Sequence, residues 1–173
     1  MADWTPQRSP RSKLTALALA AVFALSGTVI APFEGRVLHT YPDAVYGWKL
    51  PTACDGHTGP ELHQGQTFTP AECDEMRNAD LKKTFDALAP CFGDAQLSAN
   101  EWGAYLSLAY NDGAGAVCRS SIPAKVKAGQ HAAACATIED FYKAGIKDCR
   151  IASNHCSGIP RRRAAEHALC VRE

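Results

Sequence analysis

The sequence lacks an excess of charge of either sign, and it lacks the short cysteine and histidine spacings of metal-binding motifs. Its 173 residues carry 18 lysines and arginines against 18 aspartates and glutamates. A balanced charge gives no indication of a nucleic-acid partner, whose phosphates are bound by basic surfaces. No C-x2-C or H-x3-H pair occurs. The residues therefore do not favour a closed zinc site, and no metal or other cofactor is predicted.

Cysteine is absent from the chain before Cys54, and all eight cysteines lie from there onward. So many cysteines in a chain of this length are typical of export to an oxidising compartment, where they form disulfides. The sequence does not choose among the possible pairings, although the short separation of Cys149 and Cys156 favours a local bridge. A cysteine nucleophile is disfavoured because each cysteine can be explained as half of a bridge.

Charge is also absent from residues 14–33, a run long enough to cross a bilayer. Arg8, Arg11 and Lys13 precede the run, so the positive-inside rule places the N-terminus in the cytoplasm and the rest of the chain outside. Half of the run is Ala, Gly, Ser or Thr, and these residues contribute little to membrane insertion. We therefore expect the segment to be held only weakly in a membrane.

Three interpretations of this segment remain open. It is a cleaved signal peptide with an A-x-S site at Ala24 and Ser26, a permanent anchor, or an anchor that is slowly released. We favour slow release, because the run is longer than a usual signal-peptide core and too rich in alanine for a permanent anchor. The chain then divides into a basic stub and membrane segment, residues 1–33, and one folded domain, residues 34–173. Without a cysteine in the segment, control of release would be steric and topological.

The domain reads as an α+β unit that is mostly helical. Thr69 with Glu72, and Ser98 with Glu101, form two capping boxes that begin helices ending near Pro90 and Gly113. Further helices are predicted over residues 121–128, 130–143 and 159–171. Pro32 suits the first turn of a brief helix over residues 34–39, and the glycines and aromatics of residues 41–58 predict a small β-hairpin.

Two carboxylates are candidates for glycosidic bond cleavage. That reaction needs one acid to protonate the leaving oxygen and a second carboxylate on the other side of the sugar. Glu34 and Asp43 could face one another if Glu34 lies on a helix and Asp43 at the entry to the hairpin. Two acids at this spacing occur by chance in most proteins. The surrounding residues therefore decide whether this pair indicates an active site.

Those residues resemble a known family. The strings FEGRVLHTYPDAV and PTACDGHTG are similar to phage-type lysozymes, the endolysins of glycoside hydrolase family 24. In that family EG opens the catalytic helix, an Asp follows on the first strand, and a Thr precedes a G-x-GHT turn. YNDGAGAVCR and CSGIPRRRAAEHALC resemble its core and closing helices. With the Ala-rich span, the chain is similar to the signal-anchor-release branch, which implies a lysozyme-like fold preceded by an N-terminal hydrophobic helix.

The resemblance also implies an activity. The chain would be an endolysin and glycoside hydrolase, a muramidase that cleaves the β-1,4 bond between N-acetylmuramic acid and N-acetylglucosamine in peptidoglycan with inversion, lysing the host at the end of phage infection. Glu34 would be the general acid, Asp43 the carboxylate that orients or activates water, and Thr52 the hydroxyl that holds the water. Thr58 is the fallback for Thr52, because the hairpin carries an insertion relative to the family.

The implied partners are peptidoglycan glycan strands, and the inner membrane through residues 14–33 until a monomeric enzyme is released into the periplasm. Two alternatives stay open: an exported amidase or endopeptidase, and a non-catalytic disulfide-rich module that binds the wall. Asp55, a third acid beside the cleft, would alter its pH response by repulsion. We expect His57 to make a structural hydrogen bond, and Glu166 to fix the last helix through arginines at helical spacing.

Overall fold

A computed structural model describes residues 14–43 and 46–172 of the chain; the basic residues predicted to precede the membrane segment lie outside these ranges. The helices are α1 (Ala16–Glu34), α2 (Pro70–Leu88), α3 (Ala99–Asp112), α4 (Ala114–Arg119), α5 (Ile122–Lys127), α6 (His131–Ala136) and α7 (Gly158–Cys170). The strands are β1 (Val37–Asp43), β2 (Gly47–Cys54), β3 (His57–Thr58), β4 (Lys143–Ala144) and β5 (Lys147–Asp148). This confirms the predicted α+β class.

The membrane segment forms α1, which begins at the Thr15 cap and continues through Glu34. The prediction of a separate brief helix over residues 34–39 is therefore wrong. Pro32 lies in the last turn of α1 rather than in a first turn, where its missing N–H costs a single helical hydrogen bond. Gly35, with φ +64°, ends the helix, and the chain then enters β1.

The predicted hairpin is confirmed and extended. Strand β1 pairs antiparallel with β2, with Tyr41 opposite Thr52 and Asp43 opposite Gly47. Strand β3 adds to the other edge of β2, with Thr58 opposite Thr52. The order β1-β2-β3 makes a small sheet that leads directly from the end of α1 to the start of α2.

Both capping boxes are present. Thr69 and Glu72 cap α2, and Ser98 and Glu101 cap α3. The helix predicted over residues 130–143 is shorter: α6 ends at Ala136, a 3₁₀ turn covers Thr137–Asp140, and a β4–β5 hairpin follows. Sequence reasoning missed that hairpin, whose strands are two residues each.

The helical elements share one apolar core around α3. Its fully buried members include Tyr105, Leu106 and Leu108 of α3, together with Val22 and Ile30 of α1. The core thus takes in part of the membrane segment. A second cluster, Ala53, Cys54, Leu62 and Cys73, lies under the small sheet. We call the two parts the helical lobe and the sheet lobe.

Helix α1 packs closely on α3 at Gly103. A Cβ atom at Gly103 would lie 2.9 Å from the Leu25 Cβ and 3.6 Å from the Ser26 backbone nitrogen. The buried Ser26 hydroxyl donates to the carbonyl oxygens of Val22 and Gly103, so the polar atom of this apolar helix is satisfied within the protein. Among the described residues, α1 is the one helix long and apolar enough to cross a membrane, with a mean hydropathy of 2.1.

All eight cysteines are paired. The bridges are Cys54–Cys73, Cys91–Cys118, Cys135–Cys170 and Cys149–Cys156. The expected local bridge is confirmed, and the other three connect segments that are distant in sequence. Since every thiol is in a disulfide, the alternative of a cysteine nucleophile has no residue to supply it.

Candidate functional site

A cleft of about 400 Å³ opens where the end of α1 meets the turn between β2 and β3 and the facing sides of α2 and α3. Three carboxylates line it: Glu34 from α1, Asp55 from the turn and Asp80 from α2. Gly56 and Thr58 complete the sheet-lobe wall. The cleft therefore lies between the two lobes, and each of its acids is supplied by a different element.

Glu34 is placed in the cleft because it is the last residue of α1. Its side chain is 23% exposed and forms an ion pair with the guanidinium of Arg162 on α7. A Cβ atom at Gly56, which has φ +86°, would lie 3.7 Å from Glu34 Oε2. The backbone of the turn thus passes against the carboxylate, and glycine is favoured there because an L side chain would be strained at that φ.

Arg162 is held in turn by the helical lobe. Its Nε donates to Glu166 Oε1 at 3.2 Å, and the same oxygen accepts from the Ser107 hydroxyl at 2.7 Å. Burial raises the pKa of Glu166 in spite of Arg162 and Arg163. Glu166 therefore fixes α7, as expected, but sequence reasoning missed that Arg162 also reaches Glu34. The i,i+4 spacing to Glu166 already explained this arginine, and nothing local pointed across the chain.

Asp55 is buried and bound by two guanidinium groups. Arg36 makes a bidentate contact with it at 3.0 and 2.7 Å, and Arg77 lies 3.2 Å away. Hydrogen bonds to Asp55 and Asp74 raise the pKa of Arg36. The two cations compensate the charge of Asp55 locally, so simple repulsion does not describe this third acid. Asp55 instead ties the turn to Arg36, which precedes β1, and to α2.

His57 lies between two carboxylates. Its Nδ1 is 2.6 Å from Asp80 Oδ2 and its Nε2 is 2.6 Å from Glu61 Oε1. A carboxylate accepts hydrogen bonds, so both ring nitrogens act as donors when the ring is protonated. Burial by itself would lower the pKa of His57, but the hydrogen bonds to Asp80 and Glu61 outweigh burial and the pKa is raised. The expected structural role of His57 is confirmed.

The other two predicted site residues lie on the neighbouring strands. Asp43 ends β1, and its Oδ1 accepts a hydrogen bond of 2.8 Å from the Tyr46 backbone N–H. Thr52 is buried in β2, and its hydroxyl donates to the Leu50 carbonyl at 3.4 Å. Thr58, opposite Thr52, lines the cleft itself.

The three predicted site residues do not all lie on the cleft wall. Glu34 lines the cleft, whereas Asp43, at the end of β1, and Thr52, in β2, are not among the described residues that line it. Tyr41 of β1 lies opposite Thr52, and burial raises the pKa of its phenol, with a further contribution from the charges of Glu34 and Asp43.

The α3 side of the cleft carries two further polar residues. The Tyr110 hydroxyl donates to the Asp55 carbonyl oxygen at 3.1 Å, and the Asn111 side chain accepts from Arg163. Trp102 is buried in the core, whereas Tyr110 is only partly buried and faces the cleft. Hydrolysis of a glycosidic bond requires an acid and a second carboxylate on opposite sides of the sugar, and of the two candidates Glu34 lines the cleft.

The family model for phage lysozyme matches residues 31–166 of the chain. A SAR-endolysin of Enterobacteria phage P21 is 31% identical over 156 residues, which cover 90% of this chain and 88% of the relative. A SAR-endolysin of Escherichia phage N15 is 28% identical and covers 92% of this chain and 94% of its own length.

Solved structures agree with the fold. A crystal structure of a P22 lysozyme mutant is 25% identical, with a TM-score of 0.68 over 92% of this chain and 99% of that one. The active form of the P1 phage endolysin Lyz has a TM-score of 0.71 at 19% identity, over 90% of this chain and 92% of that one. The lysozyme-like architecture predicted from the motifs is thereby confirmed.

Proposed function

The chain belongs to the phage lysozyme family and is an endolysin that hydrolyses peptidoglycan to lyse the host cell, and we propose that it does so as an inverting muramidase with Glu34 as the general acid. Glu34 in its protonated form transfers the proton to the glycosidic oxygen as the bond from that oxygen to the sugar C1 breaks, and the carboxylate that remains pairs with Arg162. Asp43 takes a proton from the water that attacks C1 on the opposite face. The new reducing end then has the opposite anomeric configuration.

One observation carries this proposal: Glu34 lines the cleft between the lobes, at the end of the helix that leads into β1, the strand that ends at Asp43. Inversion requires a carboxyl separation of about 6.5 to 9.5 Å, which leaves room for the water. Arg162 fixes the Glu34 carboxyl from the α7 side, so the acid is oriented before a glycan strand arrives.

A threonine hydroxyl would hold the attacking water, and two residues compete for the role. The family pattern assigns it to Thr52, which lies across the strand from Tyr41. The lining of the cleft favours Thr58, which lines the cleft together with Gly56 and Glu34. We keep Thr52 as the proposal and Thr58 as the alternative.

The decisive experiment is digestion of purified peptidoglycan by the wild type and by Glu34→Gln. Loss of the acid should reduce the release of reducing sugar by about 100-fold to 10,000-fold, without change in thermal stability beyond a few degrees. Glu75→Gln, an exposed glutamate on the outer side of α2, is the matched control. Thr52→Val and Thr58→Val, assayed alongside, decide which hydroxyl is used.

The products separate this mechanism from its rivals. New reducing ends of inverted configuration by NMR support it, whereas retained configuration contradicts inversion. Release of free amines without reducing ends would identify an amidase or endopeptidase. Wall binding without any product would identify a non-catalytic module.

We further propose that residues 14–33 first tether the chain in the inner membrane and are then released intact, leaving a monomeric enzyme in the periplasm with glycan strands, not nucleic acid, as its partner. The length and apolarity of α1 support a spanning state. The docked state buries Val22, Val29 and Ile30 in the helical lobe, so protein contacts replace those with lipid. A cut after Ser26 would remove Val22 and the Ser26 hydrogen bonds from this interface.

Release and activity are coupled in this proposal because Glu34 belongs to α1. Only when α1 lies on α3 does its last residue reach the cleft, so the tethered enzyme is inactive and release shifts the population toward the competent state. Equal activity of the tethered and released protein on the same peptidoglycan would contradict the coupling. A folded variant lacking residues 1–33 but inactive would show that the segment does more than tether.

A further inference from the structure

The acids of the cleft all have cationic partners within the protein. Glu34 is paired with Arg162, Asp55 with Arg36 and Arg77, and Asp80 with His57. The side chains of Arg162, Arg77 and His57 are at most 15% exposed, and that of Arg36 is 28% exposed. Lys83 of α2 differs from them, because it lines the cleft with a side chain that is 72% exposed.

The ammonium group of Lys83 has hydrogen-bonding capacity to spare. It has three N–H donors, and one is directed to Asp80 Oδ1 at 3.1 Å. The other oxygen of Asp80 is bound by His57, so the charge of that carboxylate is shared between two cations. The Thr84 side chain lies next to Lys83 on the same wall and adds a hydroxyl.

We propose that Lys83, with Thr84, forms a subsite for a carboxylate of the peptide that is attached to the muramic acid sugar. When the lactyl carboxyl of each muramic acid is bound to a peptide, the glycan backbone is uncharged, and the anionic groups of the strand are on that peptide. A mobile ammonium at the cleft edge suits a flexible carboxylate, which needs no fixed bidentate geometry. The inference rests on the proposed use of this cleft as the glycosidase site, and makes the enzyme selective for glycan strands that carry peptides.

The adjacent lysine supplies a matched control. Lys82 is 52% exposed and pairs with Asp86 one turn later on α2, at 2.7 and 2.5 Å. Lys82 carries the same ammonium group as Lys83 and lies on the same helix, but on a different face of that helix. Removing either charge alters the helix surface equally, whereas only Lys83 stands at the cleft.

The test compares two substrates: peptide-bearing glycan strands, and the same strands after the peptide carboxylates have been converted to uncharged methylamides. Lys83→Met should lower kcat/KM on the unmodified strands by about 2-fold to 5-fold, as expected for one exposed charge contact. On the amidated strands it should leave kcat/KM unchanged. Lys83→Arg should retain the preference for the peptide carboxylates, and Lys82→Met should behave as wild type on both substrates.

Three results would overturn the subsite. An equal loss on both substrates would mean that Lys83 contacts the glycan or supports the cleft. No loss on either would leave it as a partner of Asp80 alone. Failure of the wild type to release reducing ends from either substrate would remove the glycosidase site and the subsite together, a result distinct from the other two. Thermal unfolding of each variant confirms that the compared proteins are folded.

Discussion

The two lobes of this protein are stabilised by different interactions. The helical lobe surrounds α3 with a continuous set of buried apolar residues, whereas the cluster under the sheet consists of Ala53, Cys54, Leu62 and Cys73. A core that small buries too little apolar area to hold a fold by itself. The sheet lobe relies instead on a disulfide and on ion pairs, and the same polar groups form the wall of the cleft. In this lobe stability and function therefore depend on the same residues.

The largest effect is expected where α1 meets the helical lobe. Gly103→Val would place a Cβ atom 2.9 Å from the Leu25 Cβ, which is fixed to the α1 backbone and cannot rotate away. We expect a loss of at least about 3 kcal/mol in the free energy of unfolding and a drop of about 100-fold in activity, because displacement of α1 carries Glu34 with it. Chemical denaturation and peptidoglycan turbidity assays measure the two effects.

Gly158→Ala is the control for Gly103→Val, since nothing lies within 4 Å of a Cβ at Gly158. It should leave both stability and activity near the wild-type values. If Gly103→Val also retained both, the close packing of α1 on α3 would be incorrect.

The next effect is expected in the sheet lobe. Cys54 and Cys73 join the end of β2 to α2 across a separation of 19 residues, and replacing both with alanine should cost about 3 kcal/mol. Cys149 and Cys156 are 7 residues apart, and the same replacement there should cost about 2 kcal/mol. Urea denaturation compares the two.

Activity should separate the two disulfides more clearly than stability does. The turn that carries Asp55 and Gly56 follows Cys54 directly, so loss of the first bridge should lower kcat under conditions where the variant remains folded. Loss of the second bridge should not. Equal activities of the two folded variants would show that the ion pairs hold the turn without the disulfide.

The smallest effect concerns His57 and depends on pH. The raised pKa of His57 means that the folded state favours the protonated ring. The contribution of His57 to the free energy of unfolding is complete below its pKa in the unfolded chain, about 6.5. It is lost as pH rises through the pKa of His57 in the folded protein. The pKa of Glu61 is lowered by its hydrogen bond to His57, so the contribution of Glu61 is lost as pH falls through the folded pKa of that carboxyl.

His57→Gln should therefore destabilise the protein by about 2 kcal/mol near pH 6, as for hydrogen bonds to charged groups. The difference in the free energy of unfolding between wild type and variant should become smaller in alkaline buffer. Unfolding in urea at the two pH values measures it. A difference that does not change with pH would mean that the ring is held by packing and not by charge.

Much of the helical lobe could be predicted from the sequence because its signals are local. In each capping box the capping residue, Thr69 or Ser98, pairs with a glutamate three residues later, so the box can be recognised from neighbouring residues. Both boxes are confirmed. The helix expected at residues 34–39 was wrong for a reason that is not local. Pro32 by its own geometry suits the first turn of a helix, and the packing of α1 on α3 is what extends the helix through it in spite of the lost hydrogen bond.

The candidate site likewise contains residues that the sequence indicates and contacts that it does not indicate. Glu34, Asp43 and Thr52 were named from motif resemblance, and the structure puts Glu34 in the cleft; the catalytic roles of all three stay predictions. The cations that hold the cleft acids, Arg162 above all, gave no sequence signal. Arg162 is 128 residues from Glu34, and an ion pair at that separation exists only after folding.

The sequence by itself determined where the chain is apolar, where its helices begin and which carboxylates stand in a lysozyme-like pattern, because capping, hydropathy and motif spacing are properties of neighbouring residues. Only the tertiary structure decided that the apolar segment docks on Gly103, which cysteines pair, and which cation faces which acid. Those outcomes depend on distances between residues far apart in the chain, and such distances are set by the packing of the whole core.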